Sequence, residues 1–138
     1  MKKSFIVLFV FAILANANGF NPQMQQYINQ LKTQAQKSKS NFVDFSAKRG
    51  EQIFVSEHIG KRGKNISCSS CHSTNLRQIG KNVHTGKSIK PLSPLANAKR
   101  LSRVKDVKKW LRRNFNDVYK RQGTAIEKGD VLYYINSK

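Results

Sequence analysis

The chain carries Cys68-Ser69-Ser70-Cys71-His72 near its middle. Two cysteines, two spacers and an adjoining histidine form the attachment signature of a c-type haem. Two residues between the thiols let one short turn present both sulfurs to the vinyl groups of a single porphyrin. His72 then supplies an imidazole to the proximal face of the iron. The expectation is one haem c, covalently attached through Cys68 and Cys71, with His72 as the proximal iron ligand. Plainer readings compete. A zinc site needs about four ligands, whereas the chain has two cysteines and three widely spread histidines. A redox dithiol of the thioredoxin kind should follow a strand in a βαβ pattern, and none is visible. A small disulfide within a turn stays open.

Upstream, Lys2 and Lys3 precede an uninterrupted apolar run from Phe5 to Ala15, and Ala15-Asn16-Ala17 is a small-x-small cleavage site. Residues 1–17 therefore read as a secretory signal peptide. The run falls short of the roughly 20 residues that span a bilayer, which disfavours a membrane anchor; an uncleaved leader would tether the domain without changing its chemistry. Covalent haem c is assembled outside the bacterial inner membrane, so the expected location is the periplasm. The remaining organisation is a polar helical segment over 18–40 and a cytochrome c domain over 41–138. The mature chain can bury only a modest core, and a buried haem would supply the apolar body at its centre.

The charge is extreme: 26 Lys and Arg against 7 Asp and Glu, a formal +19 that includes Lys2 and Lys3 of the leader. Such a field steers a protein toward nucleic acid, an anionic membrane or an acidic partner. No nucleic-acid motif is present, and export argues against that class. An acidic redox partner, or the membrane surface peripherally, fits better; general solubility is the bland alternative.

Met24, Ile28, Leu31 and Ala35 form one helical stripe after Pro22, which predicts a first helix packed loosely on the domain or partly mobile. Phe42 to Ile59 is a second helical candidate. Gly60 and Gly63 mark a basic loop into the motif, and Asn75 to Ala98 is irregular chain of a length that covering a cofactor would explain. Ser102 is a candidate cap for a helix to about Arg113, with Val104, Val107, Trp110 and Leu111 on one face. Asn114-Phe115-Asn116-Asp117 is a weak breaker. Thr124-Ala125-Ile126-Glu127 is a capping box opening a last helix, with Ile126, Val131, Leu132 and Ile135 as its apolar side. No convincing strand pattern appears. The predicted fold is small and all-α, a class I cytochrome c-like domain around one covalently bound haem. The Gly50-to-Phe54 spacing resembles the N-terminal helix of class I cytochromes c, where the glycine permits a close crossing of the C-terminal helix.

The iron's sixth position is the open question. Electron-carrying class I cytochromes mostly use a downstream methionine, and here Met1 and Met24 are the only methionines. His58 and His84 are the remaining histidines, and either would give a closed bis-histidine iron. His84 follows the motif too closely to cross the haem plane easily, which leaves it as a hydrogen-bond partner of a haem propionate or an exposed residue, and His58 reads as a surface residue.

Four further blocks resemble the SHP-type cytochromes c, high-spin monohaem proteins grouped with a bacterial domain of unknown function. They are Thr85-Gly86-Lys87-Ser88-Ile89-Lys90-Pro91-Leu92-Ser93-Pro94, Asn97-Ala98-Lys99-Arg100-Leu101, Val107-Lys108-Lys109-Trp110-Leu111-Arg112-Arg113-Asn114-Phe115-Asn116-Asp117-Val118 and Glu127-Lys128-Gly129-Asp130-Val131-Leu132. The resemblance runs from Gly50 to the C-terminus. It implies an asparagine as distal iron ligand, carried here onto Asn114, that holds ferric iron and swings away on reduction, leaving a site for oxygen or nitric oxide. A plain helix C-cap is the other reading of Asn114, and Asn116 is its near neighbour. The resemblance also implies partners among dihaem or membrane cytochromes, and the charge pattern itself makes Lys105, Lys108, Lys109, Arg112 and Arg113 a candidate basic docking face. Where many members of the family carry a cysteine pair around the ligand loop, this chain has Phe115 and Gln122. The function these features point to is electron transfer combined with small-ligand binding. The alternatives are a closed bis-histidine carrier and a haem enzyme acting on peroxide or nitric oxide, in which Arg112 or Arg113 would assist.

Overall fold

A computed structural model describes residues 19–138; the signal peptide expected over 1–17 lies outside them. In chain order the elements are α1 (Pro22–Ser38), α2 (Ala47–Val55), β1 (His58–Ile59), β2 (Asn65–Ile66), α3 (Cys68–His72), β3 (Gly80–Lys81), β4 (Ser88–Ile89), α4 (Val104–Tyr119) and α5 (Ala125–Asn136). The strands are two-residue ladders, β1 antiparallel to β2 and β3 to β4, so the domain is helical in substance. Among the described residues no helix is long and apolar enough to cross a membrane.

The side chain of Asn21 caps α1 by accepting the Met24 N–H at 2.8 Å, and Pro22 occupies a first-turn position that needs no N–H. The helix is not loosely attached. Met24, Tyr27, Ile28, Leu31 and Ala35 are all buried and belong to the main core with α5 residues. Full burial of side chains such as Met24 and Ile28 contributes about 1.5–3 kcal/mol each, which the polar composition of this segment conceals.

The second helix is shorter than its sequence reading. Ser46 caps α2, its hydroxyl accepting the Arg49 N–H. The preceding Phe42 and Phe45 are non-helical, their rings 5.2 Å apart, with Phe45 also against Tyr133 at 5.5 Å. Asp130 of α5 fixes that start. Its buried carboxylate accepts the Ser46 N–H at 2.7 Å and pairs with the Arg49 guanidinium at 2.8 Å. At the other end Ser56 closes the helix, because His58 and Ile59 are committed to the ladder with Asn65 and Ile66. Between these limits Gly50 lies against α5: a Cβ there would overlap the Asp130 carbonyl oxygen and approach Tyr134 Cβ at 2.9 Å. The close crossing implied by the cytochrome c resemblance is present.

α4 is one continuous helix through Asn114-Phe115-Asn116-Asp117, the stretch read as a breaker. Val107, Leu111, Phe115 and Val118 form a buried stripe, and that tertiary burial overrides the weak helix propensity of Asn and Asp. Ser102 does not cap it; its hydroxyl donates to the Lys99 carbonyl at 2.7 Å. Arg103 holds the cap position without a side-chain cap, and Asp106 in the first turn complements the helix dipole. Lys120 ends α4 in the left-handed region at φ 56°. The capping box of α5 is formed by Thr124 and Glu127. The hydrogen bond from Arg121, then the Thr124 amide, hold the Glu127 carboxyl down at about 2.

Candidate haem site

α3 is a single turn capped by Ser67 together with the spacer residue Ser70. Ser67 Oγ accepts the Ser70 N–H at 3.2 Å, and Ser70 Oγ accepts the Ser67 N–H at 2.9 Å. This reciprocal box fixes where the turn begins and so places Cys68 and His72. Ser73, at φ 65°, then carries the chain away from the turn. Gly80 lies on the backbone of α3, where a Cβ would overlap the Cys71 carbonyl, so β3 backs the turn.

Cys68 and His72 line a cleft whose empty space, counting its open mouth, is about 920 Å³. Phe54 of α2 and Val131, Leu132 and Ile135 of α5 form apolar wall. Leu111 and Phe115 of α4 and Leu92 and Leu101 of the long loop also line it. Lys99, Arg100, Arg103, Asp106 and Trp110 add a polar and aromatic part. Trp110, expected on the apolar face, is 46% exposed, with Lys109 Nζ 5.0 Å and Arg113 Cζ 5.4 Å from its ring centroid.

The donor chemistry suits a haem. Cys68 and Cys71 are free thiols, and burial pushes the Cys68 thiol up to about 12. His72 packs against Phe54 with ring centroids 6.1 Å apart. Burial, and secondarily the Arg100 charge, bring its pKa down to about 4. It is therefore the neutral imidazole that a metal requires. Its Nδ1 is buried without a hydrogen-bond partner.

Asn114 is half-buried and lines the same cleft, inside α4 and well before its end. The helix C-cap reading is thereby excluded. Asn116 does not line the cleft, and its carbonyl accepts the Lys120 N–H. Cys71 is not on the main cleft wall: it borders a neighbouring depression with Ile79, Gly80 and Val83, and its sulfur accepts the Val83 N–H at 3.5 Å. The two other histidines stand apart from the cleft. His58 is not a surface residue: it is half-buried, its ring 4.2 Å from that of Tyr119 and its Nε2 buried without a partner. His84 sits in the β3–β4 turn. Sequence reasoning missed Arg100 as a site residue. One arginine among many basic residues carries no periodic signal, and the bonds that fix it are to backbone carbonyls.

Known proteins resemble this chain in sequence and in fold. A family model described as Domain of unknown function (DUF1924) matches residues 40–135. Cytochrome c-type protein SHP of Cereibacter sphaeroides is 38% identical over 89 residues, covering 64% of this chain and 68% of that protein. The chain belongs to the SHP-type cytochrome c family. Cytochrome c'' of Methylophilus methylotrophus is 33% identical over 86 residues, 62% of this chain and 60% of that protein. The solved structure of oxidized SHP, described as an oxygen binding cytochrome c, superimposes with a TM-score of 0.72 at 33% identity, covering 83% of this chain and 96% of that one. The solution structure of the Methylophilus cytochrome c'' gives 0.74 at 26% identity over 84% and 94%.

Within the SHP-type family the Phe115 and Gln122 positions now have a physical reading. Phe115 is buried, and its ring covers Gly123, where a Cβ would lie 2.7 Å from Cε2. Gln122, next to that glycine, is exposed. An aromatic-on-glycine contact thus joins the segment carrying Asn114 to the segment after α4, the two segments that the resemblance joins by a cysteine pair.

Proposed function

We propose that this chain is an exported, periplasmic monohaem c-type cytochrome that combines electron transfer with binding of a small diatomic ligand, oxygen or nitric oxide. One haem would be held by Cys68 and Cys71, with His72 as an iron ligand and Asn114 as a weak, displaceable one. When bound, the haem supplies the redox and ligand chemistry; the protein supplies an apolar wall, a neutral imidazole and one carboxamide.

The observation that carries the reading is that His72 and Asn114, from separate helices, line one apolar cleft. Among the described residues the Asn114 carboxamide has no hydrogen-bond partner, so neither its oxygen nor its nitrogen is committed to the protein. The descriptions of two relatives, one as oxygen binding and one in terms of haem-ligand detachment, support the displaceable ligand. The test is the absorption spectrum of the holoprotein, ferric and dithionite-reduced, before and after carbon monoxide. A high-spin ferrous spectrum that changes promptly with carbon monoxide is expected. A low-spin ferrous spectrum indifferent to it would return the protein to the closed-carrier class.

The partner reading is an acidic redox protein, a dihaem or membrane cytochrome, docking on α4. Lys105, Lys108, Lys109, Arg112 and Arg113 are exposed there, and none of them pairs with a carboxylate among the described residues. The electron-transfer rate with such a partner is expected to fall steeply as salt rises; stopped-flow rates independent of ionic strength would remove this face from the proposal.

A further inference from the structure

Arg100 is the charged group that the proposed function leaves unused. It is half-buried in the wall of the cleft that holds His72. Its Nε donates to the Pro91 carbonyl at 2.8 Å and one terminal nitrogen, Nη2, to the Lys90 carbonyl at 2.6 Å. These bonds immobilise the guanidinium and leave Nη1 uncommitted among the described residues.

No carboxylate pairs with it there. Arg49 and Arg121, the other arginines bonded into the fold by their side chains, each have one, Asp130 at 2.8 Å and Glu127 at 2.6 Å. The two carbonyls at Arg100 satisfy hydrogen bonds but cancel no net charge. A cation drawn into a wall containing Leu92 and Leu101 is costly unless an anion accompanies it, and burial already lowers its pKa. Its rim neighbours differ. Arg103 is 72% exposed and shares Asp106 at 3.4 Å, and Lys99 is exposed.

We propose that Arg100 is the counter-charge for a carboxylate side chain of the bound porphyrin, and that its fixed positive charge raises the reduction potential of the iron held by His72. The ligand class is a carboxylate, which a guanidinium matches through parallel N–H donors. The field acts because ferrous iron carries one positive charge fewer than ferric, so a nearby cation favours the reduced state. The inference rests on the haem reading above.

Arg100 also ties the Lys90–Pro91 loop to the cleft wall, so a purely structural clamp is the competing role. Lysine separates the two: it keeps the charge and loses the forked clamp. The experiment first verifies covalent haem in each purified protein by its alkaline pyridine spectrum, then measures midpoint potentials by spectroelectrochemistry. Arg100→Gln is expected to lower the potential, Arg100→Lys to stay near wild type, and Arg62→Gln, at an exposed position outside the cleft lining, to leave it unchanged. A wild-type potential in Arg100→Gln overturns the proposal, as does an Arg100→Lys potential as low as that of Arg100→Gln. An Arg62→Gln fall equal to that of Arg100→Gln overturns it too, since the effect would then be one of general surface charge. Should Arg100→Gln fail to mature, the propionate bending bands in the resonance Raman spectra of wild type and Arg100→Lys decide. They shift when a forked pair becomes a single ammonium contact, and unshifted bands overturn the proposal. Wild-type protein without covalent haem fails at the pyridine spectrum, which identifies the haem reading as the error and removes the proposal with it.

Discussion

Gly50→Val is expected to abolish the cooperative thermal transition of the domain, or to lower its midpoint further than any other single substitution in α2. The first added carbon would already overlap the backbone carbonyl of Asp130 and crowd Tyr134 Cβ at 2.9 Å. Neither obstacle can rotate away, because one is helix backbone and the other is the root of a side chain. Overpacking of cores ordinarily costs about 1–3 kcal/mol, and here the strain can be relieved only by separating α2 from α5, so about 3 kcal/mol is a floor. Against a total stability of about 5–15 kcal/mol that is a large share. The loss reaches the site as well. α2 brings Phe54 against His72, and α5 brings Val131, Leu132 and Ile135 to the same cleft; moving the crossing separates those walls. Gly129→Ala is the informative contrast. Its Cβ would meet the ring of Phe45 rather than backbone, so the obstruction is a side chain that can shift, at the expense of its contacts with Phe42 and Tyr133. Circular dichroism melts of the two variants should therefore rank Gly50→Val well below Gly129→Ala. Equal melting temperatures would mean that the α2–α5 crossing does not depend on the missing side chain.

What the sequence reveals and what it hides divide along a physical line. Covalent and short-range constraints are legible. The Cys-x-x-Cys-His spacing, the Thr124–Glu127 box and the Gly50-to-Phe54 interval each depend on a few neighbouring residues, and each has its structural counterpart. Features decided by distant partners are not. Nothing near Asn114-Phe115-Asn116-Asp117 announces that Phe115 and Val118 will be buried and carry the helix through. α1 looks loosely attached by composition, and only the presence of α4 and α5 makes its thin apolar stripe a core. The early end of α2 depends on a ladder to Asn65–Ile66, and its late start on a carboxylate 84 positions away. His58 looks like a surface residue until Tyr119 is folded over it. Arg100 belongs to the same group: its bonds to the carbonyls of residues 90 and 91 exist only once the loop has closed.

Asn114 offers the sharpest functional test, because its substitution can be read without a folding penalty. It is half-buried inside α4 and makes no hydrogen bond through its carboxamide among the described residues. Alanine, with higher helix propensity, should therefore leave the melting temperature unchanged or raise it. If Asn114 is the displaceable distal ligand of the proposed function, Asn114→Ala changes the ferric spectrum, while the ferrous protein still takes up carbon monoxide at the wild-type rate, because in that proposal the carboxamide has left the iron on reduction. Asn114→Met should act in the opposite sense. A thioether suits ferrous iron better than an amide oxygen does, so the reduced form becomes low-spin and its affinity for carbon monoxide falls about tenfold or more, the effect of roughly 1.4 kcal/mol of added ligand strength. Asn116→Ala controls for proximity: its side chain does not line the cleft, and neither oxidation state should respond. The pattern across the three variants matters more than any one of them. A ferric spectrum unchanged in Asn114→Ala would show that the carboxamide is not the distal ligand. A response shared with Asn116→Ala would mean that α4 perturbs the haem through its packing rather than through one side chain. A ligand made in one oxidation state and broken in the other gives a ferric change and an unchanged ferrous carbon monoxide rate in the alanine variant, together with ferrous closure in the methionine variant; a ligand bound in both states would instead speed carbon monoxide uptake in the alanine variant.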